Sequence, residues 1–416
     1  MSSYPYYTES THDTGTVAAA PRTTAVSSAE GRLIVNAVDK IFLLEPTKHP
    51  LVTLLTQVGK VWDGQAWKGS GLMKKSTSNP EFSWFENYYG GRYAKVSGTY
   101  TTAADQTPTL TGAGANSGYI FTAGDIVKNA RTGECMVVGT VAATTIQLHL
   151  RGFGSTAAAA GVDGDGMYLI GNVNEENSGA RNVNTTRSSK ESNYTQIFKT
   201  TIAVSGTEKE ADLYGGKELP FLRAQIGTQH ALDLERAFWY GQKKYSISGT
   251  NGHPLRATGG VLEFIESGGS YVQDQGGVLT APDFNTFLRE GFTYGDTTKS
   301  FFCGGLVLQA INEFARGQIQ MKPLAKTYGM QIGEYVTAFG KINLIHNPLF
   351  MGDYAGYGFL LDMDCFKYRY MNNRDTKLET NVQANDVDGQ IDQYISEVGL
   401  QRIQAPKCAL LKGVTA

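Results

Sequence analysis

Leu219-Pro-Phe-Leu222-Arg-Ala-Gln-Ile226-Gly-Thr-Gln-His230-Ala-Leu-Asp-Leu234-Glu-Arg-Ala-Phe238-Trp-Tyr-Gly241-Gln-Lys-Lys244 is the stretch from which the fold is read. Leu222, Ile226, His230, Leu234 and Phe238 recur every four residues, with Leu219 and Ala237 on the same stripe. That spacing is one face of a helix. Pro220 falls in the first turn, where a missing N–H has no partner to lose. Arg223, Gln225, Gln229, Asp233, Glu235 and Arg236 take the remaining surface, and Gly241 with the Gly249–Pro254 cluster stops the pattern. About 25 residues make a rod on the order of 37 Å long. It is the longest helical signal in a chain of strands, turns and glycines, so it is expected to be a strut whose stripe packs against sheets.

Upstream, residues 1–30 are Ser, Thr, Ala and Tyr with few large aliphatics, too lean to bury a core alone. They are expected to be a tail or an arm that docks on a neighbour. Residues 31–60 hold two short helical segments, Leu33 to Pro46 and Pro50 to Leu55. Lys74-Lys75 lies in an extended run, and Phe82-Ser-Trp84-Phe85-Glu86 alternates as a strand does. Residues 98–185 change texture. Short apolar runs (Tyr119–Phe121, Met136–Val138, Ile146–Leu148, Met167–Ile170) are parted by Ala123-Gly-Asp125, Thr132-Gly-Glu134 and Asp163-Gly-Asp165-Gly166. A small antiparallel β domain is expected there, inserted into a long hairpin made by 61–97 and 186–200.

Tyr194–Val204 reads as a strand running into the long helix, in a segment bounded at 201–279. Downstream, 280–390 is read as an α+β unit. Thr280-Ala-Pro-Asp283 opens a helix with Phe284, Phe287 and Leu288; Phe301–Leu308 is a buried strand and Gln309–Arg316 a helix. Strands follow around Tyr335–Leu349, Phe359–Leu361 and Phe366–Tyr370, and Ile391–Ile403, within a closing segment 391–416, is the last.

Thirty-seven basic and 39 acidic side chains leave a net charge of −2, with no basic footprint for nucleic acid or membrane. Four scattered cysteines without a CxxC pair are read as reduced thiols. Met1–Ser10 lacks a basic stretch followed by an apolar run, and no apolar stretch reaches a span's length, so a soluble cytoplasmic product is expected. The six histidines share no ligand spacing, and His230 on the helix stripe reads as a packing residue. Asp163-Gly-Asp165-Gly166 lacks the remaining acids of a calcium loop. Gly152-Phe-Gly154 has no βαβ unit around it. Asp362-Met-Asp364 reads as alternate strand residues meeting solvent. No catalytic, cofactor-binding or metal-ligating residue is assigned, and the chain is not expected to be an enzyme.

Several segments, in order, resemble the major capsid proteins of tailed bacteriophages with the HK97-like fold and a β domain inserted in the extended loop. Asp39–Leu51 with Pro46 and Pro50 looks like their N-terminal helix, and Glu81-Phe82-Ser-Trp84-Phe-Glu86 like the start of the extended loop. Gly124-Asp125, Glu134–Val138, Leu150-Arg-Gly152 and Asp163-Gly-Asp165 are similar to the insert; Asn193–Phe198 with Val204–Thr207 resembles the return strand. The helix to Gly241 with Leu255–Gly260 looks like the spine helix and its loop. Tyr335–Ile342, His346 and Glu397–Pro406 look like the axial hairpin and the last strand. The pattern departs at Glu175–Ser178 and at Lys48-His49.

The resemblance implies an α+β, HK97-like subunit with an N-terminal arm, extended loop, spine helix, peripheral sheet and axial domain. It implies self-association into hexamers and pentamers of an icosahedral shell around double-stranded DNA, bound without sequence preference, and no membrane. The expected location is the virion, assembled in the host cytoplasm. Portal, scaffold, decoration or neck proteins are the further partners, and no cofactor is implied. Trp84, Phe85, Tyr88, Tyr89 and Arg92 are the expected intersubunit contacts, against the alternative that these aromatics form a core under the insert. A surface or secreted adhesin-like protein and an enzyme of unrecognised type are the competing classes.

Overall fold

Glu218–Tyr240 forms the expected helix, 23 residues long, in a computed structural model. The structure describes residues 49–56, 61–62, 67–68, 73–88, 91–112, 117–182, 188–211, 218–248, 251–315 and 332–415. The arm and the Leu33–Pro46 helix lie outside these residues. The helix stops at Tyr240 rather than Lys244: the Gly241 N–H still donates to Ala237 O at 2.9 Å, but the Gly241 carbonyl accepts the Gly260 N–H at 2.7 Å instead of a helical partner. Lys244 instead begins a strand, Lys244–Ile247, paired with Pro254–Ala257.

The helix lies on a five-stranded sheet. The path runs Gln196–Ser205, Gly389–Arg402, Phe366–Met371, Lys74–Thr77, with Lys377–Glu379 also paired to the 14-residue Gly389–Arg402 strand. Under it, Leu51, Leu55, Leu234, Phe238, Trp239, Tyr368, Val398 and Leu400 merge into one apolar cluster with Phe302 and Phe359 of a second sheet and Phe350 of the loop that follows its strand Lys341–His346. That sheet is mixed: Tyr271–Val278, Ala409–Thr415, Gly358–Leu361, Thr298–Cys303, Lys341–His346, Ile332–Val336. Its other face is covered by helices Ala281–Gly291 and Gly305–Ala315 through Phe284, Phe287, Leu288, Val307 and Ile311. The chain is α+β.

Six antiparallel strands between Tyr93 and Asn172 make a third sheet, ordered Thr109–Thr111, Tyr93–Ser97, Gly166–Asn172, Asp125–Asn129, Cys135–Val141, Ile146–Leu150. Its apolar cluster is its own: Ala94, Val96, Leu110, Phe121, Val127, Met136, Val138, Ile146, Leu148 and Met167. Arg151 Nε and Nη2 donate to the fully buried Glu134 carboxylate at 2.8 and 2.9 Å, which also accepts the Gly152 and Ala159 N–H groups. In the Asp163-Gly-Asp165-Gly166 turn, Gly164 takes φ +83°. Asp165 accepts from Arg131, Asn129 and the Val162 N–H, and Arg131 first among these holds its carboxyl down at about 2.

Four expectations are corrected. Tyr119–Phe121 is not a strand: Ser117–Ile120 is a 3-10 turn, because Gly118 sits against the Ala142 backbone and buries Phe121 beneath it. Phe301–Leu308 is strand only to Cys303, and the helix expected from Gln309 already starts at Gly305. Asp362 and Asp364 are not alternate strand residues; Asp362 caps the Met363–Cys365 turn by accepting the Asp364 N–H. Ile391–Ile403 is not the last strand, since Ala409–Thr415 follows and pairs with Tyr271–Val278 and Gly358–Leu361.

Candidate intersubunit surface

Alternation decides what the hairpin shows. Along Glu81–Glu86, Phe82 and Glu86 are buried, Trp84 is half-buried, and Glu81, Ser83 and Phe85 face outward. The partner strand Ser189–Tyr194 runs antiparallel in full register, from Ser189 opposite Glu86 to Tyr194 opposite Glu81. Lys190 therefore stands across from Phe85, which is 72% exposed. Phe85 and Val336 are the most exposed large apolar side chains among the described residues.

The other residues expected there divide by face. Trp84 stacks on Phe82 at 6.1 Å and donates its indole N–H to Glu86 Oε1 at 2.6 Å. Tyr88, still partly exposed, donates its hydroxyl to Glu86 Oε2, and burial followed by that bond pushes its phenol upward. Glu86 also accepts the Gln404 N–H at 3.0 Å, tying this cluster to the body. Arg92 is exposed beyond the strand. Tyr89 lies outside the described residues. The hairpin therefore points Phe85 outward, while Trp84 and the Tyr88 hydroxyl are engaged within the chain and Arg92, exposed, lies beside the third sheet, its carbonyl accepting the Leu169 N–H.

The hairpin is mounted by one amide that sequence reading missed. Asn193, fully buried, donates through Nδ2 to Leu400 O, Gly259 O and Thr258 Oγ1, and accepts the Tyr194 and Gly259 N–H groups. Asn is depleted in strands, so its place inside one was the available signal. Next to it the strand bends: the Thr195 N–H donates to Pro80 O at 2.8 Å, and from Gln196 the chain pairs with Gly389–Arg402 instead.

On the long helix, His230, Leu234 and Phe238 are buried, whereas Leu222 and Ile226 near its start are only partly covered. His230 is bracketed by hydroxyls, Nδ1 at 2.9 Å from Thr200 Oγ1 and Nε2 at 2.7 Å from Ser396 Oγ, and burial holds its imidazole below its usual range. Arg223 donates to Asp392 at 2.6 and 2.9 Å.

Glu235 is the second correction of consequence on this helix. Its carboxylate is fully buried, not on the polar surface, and accepts the Leu51 and Val52 N–H groups at 2.9 and 2.6 Å and the Trp239 indole at 2.8 Å. The seven-residue helix Pro50–Thr56 is thereby docked by its first free N–H groups, where a carboxylate suits the helix dipole. Burial outweighs these donors and pushes Glu235 up to about 7. Between the ordinary carboxylate range and pH 7 the folded chain then holds a proton that the unfolded chain has released. This contribution to stability is complete in acid and is lost as pH rises through 7. Glu235→Gln is expected to remove that slope, worth on the order of 3 kcal/mol across the window. Denaturant midpoints of the two proteins from pH 5 to 8 check it; parallel profiles would reject the assignment.

Among the described residues no group of three or more His, Cys, Asp or Glu is placed to hold a metal ion. No helix there is long and apolar enough to cross a membrane. A family model described as SU10 major capsid protein matches residues 10–415. The major capsid protein of Pseudomonas phage PaMx41 is 25% identical over 325 residues, 71% of this chain and 76% of its own. Among solved structures, the capsid of a native GTA particle aligns over 95% of this chain and 100% of its own, at 9% identity and a TM-score of 0.45. The cyanophage A-1(L) capsid covers 59% of this chain and 85% of its own, at 10% identity and a TM-score of 0.41.

Proposed function

The chain belongs to the SU10 major capsid protein family, and from that premise we propose that its copies close into hexamers and pentamers of an icosahedral, HK97-like shell around double-stranded DNA. It is a phage major capsid protein, a component of the virion. Family membership sets the adhesin-like alternative aside. The observation that carries the assembly reading is Phe85. The ring is 72% exposed on a ribbon tied to the body by Asn193 and Glu86. Seated on a neighbour, it loses that exposure at a gain of roughly 1.5–3 kcal/mol per copy.

Trp84 and Tyr88 brace the hairpin from below through Glu86, and Phe85 with Lys190 and Arg92 forms its outward contact. The near-zero net charge lets many copies approach without strong mutual repulsion. DNA enclosed by such a shell needs no base-reading surface. Residues 1–30 act as an arm over an adjacent subunit, 98–185 as the inserted domain of the hairpin and 280–390 as the axial unit. Portal and scaffold or decoration proteins are the further partners, and assembly takes place in the host cytoplasm.

Phe85→Asp is expected to leave the subunit folded, with an unchanged melting profile, and to abolish shells at concentrations where the parent protein forms them. Electron microscopy and sedimentation read the result. Closed shells from the variant would remove Phe85 from the interface, and a parent that stays a 45.1 kDa monomer in every salt and pH would end the assembly reading itself.

A further inference from the structure

The two ends of the long helix carry exposed features of opposite charge. Beyond its C-terminus, Lys244–Ile247 and Pro254–Ala257 pair, among the described residues, only with each other. The ribbon is too small to be stable by its own contacts. One face turns to the body, with the Tyr245 ring 6.0 Å from Tyr194 and Arg256 3.9 Å from Glu397. Ser246 opposite Leu255 and Lys244 opposite Ala257 share the other face, and Leu255 there is 58% exposed. Residues 242–257 contain Lys243, Lys244 and Arg256 and no carboxylate.

At the helix's other end, Arg223 and the Tyr394 hydroxyl fix the start of the segment to the 379–392 region. Residues 379–392 hold four carboxylates and no cation. Asp392 is taken by Arg223 and Glu379 by Lys377. Asp386 and Asp388 are exposed, and so are Val382 and Val387 beside them. Asp388 abuts Gly206, the first residue of the short helix Gly206–Glu210, which adds exposed Glu208 and Glu210 around Lys209.

From Arg223 to Tyr240 the helix rises about 26 Å, so these two surfaces do not meet within one chain. Each pairs exposed apolar side chains with charge, and the charges are opposite. A contact between two identical patches would oppose like charges, whereas head-to-tail contact matches them and, repeated, closes a ring. We propose that the 244–257 ribbon of one copy docks through Lys244 and Leu255 on the 380–388 loop of the next. This rests on the assembly reading and names a second contact for it, separate from the Phe85 hairpin.

Charge exchange tests the contact. Lys244→Glu should raise the protein concentration needed for shells about tenfold, since like charges then face each other. Adding Asp386→Lys and Asp388→Lys to the same chain should restore it. In a second measurement, Leu255→Cys with Val387→Cys, oxidised with diamide in assembled shells, should link successive subunits into a ladder. Shells from Lys244→Glu at the parental concentration, or shells whose cysteine pair gives no ladder, would overturn the ribbon contact and leave the assembly reading intact. The second result is also what a ribbon covered by residues 1–48 or by another protein would give. A parent protein that forms no shells overturns both.

Discussion

Asn193→Ala is expected to cost the unassembled subunit about 3–5 kcal/mol and to release its hairpin. The change removes one small side chain, so lost packing is minor. What remains is a set of buried groups without partners: the Gly259 N–H, the Leu400 and Gly259 carbonyls and the Thr258 hydroxyl. Each buried unsatisfied group costs about 1–3 kcal/mol, partly recovered where the Leu400 N–H still holds Thr258 Oγ1. Denaturant unfolding gives the magnitude, and limited proteolysis shows whether Glu81–Glu86 and Ser189–Tyr194 become cleavable before the body. Asn193→Asp should also be costly, because it keeps an acceptor, loses both N–H donors and places a charge in a fully buried site. A loss below 1 kcal/mol with an uncleaved hairpin would mean that Phe82 and Glu86 mount it alone.

Trp239→Ala carries the other large effect. The indole is fully buried, with ring centroids 5.1, 4.9 and 4.9 Å from Phe302, Phe350 and Phe359. Truncation of a buried tryptophan costs about 3–5 kcal/mol. Here it also strips a donor from the buried Glu235, so the upper end of that range is expected. Trp239→Phe separates the two parts: it keeps most of the ring contacts and removes only the indole bond, at a cost of about 1–2 kcal/mol. It should also move Glu235 further upward, extending to higher pH the dependence that Glu235→Gln removes. Equal losses from both substitutions would assign the whole effect to the hydrogen bond.

What the sequence made legible follows from which interactions are local. The spine helix was readable because its period repeats from Leu222 to Phe238, and the Thr280 cap because its partner Asp283 is three residues away. The Glu81–Glu86 strand was readable from its alternation. Glu235 was misread because one carboxylate on a polar-looking face differs from another only by what packs over it, here residues 49–56, some 180 positions away. Asn193 was missed for the same reason: its partners at 258, 259 and 400 are assembled by the fold. The Tyr119–Phe121 misreading shows the limit of short apolar runs, where three residues fit a strand or a tight turn equally well. Trp84 and Phe85 are neighbours in sequence, yet the pleat turns one toward its own chain and the other outward.

The strand Ala409–Thr415 lies inside its six-stranded sheet, parallel to Tyr271–Val278 on one side and antiparallel to Gly358–Leu361 on the other. During translation that sheet stays split until residue 415 has cleared the ribosome, however early the helices and the inserted sheet have formed. Until then a nascent chain lacks a finished body on which a neighbour could build.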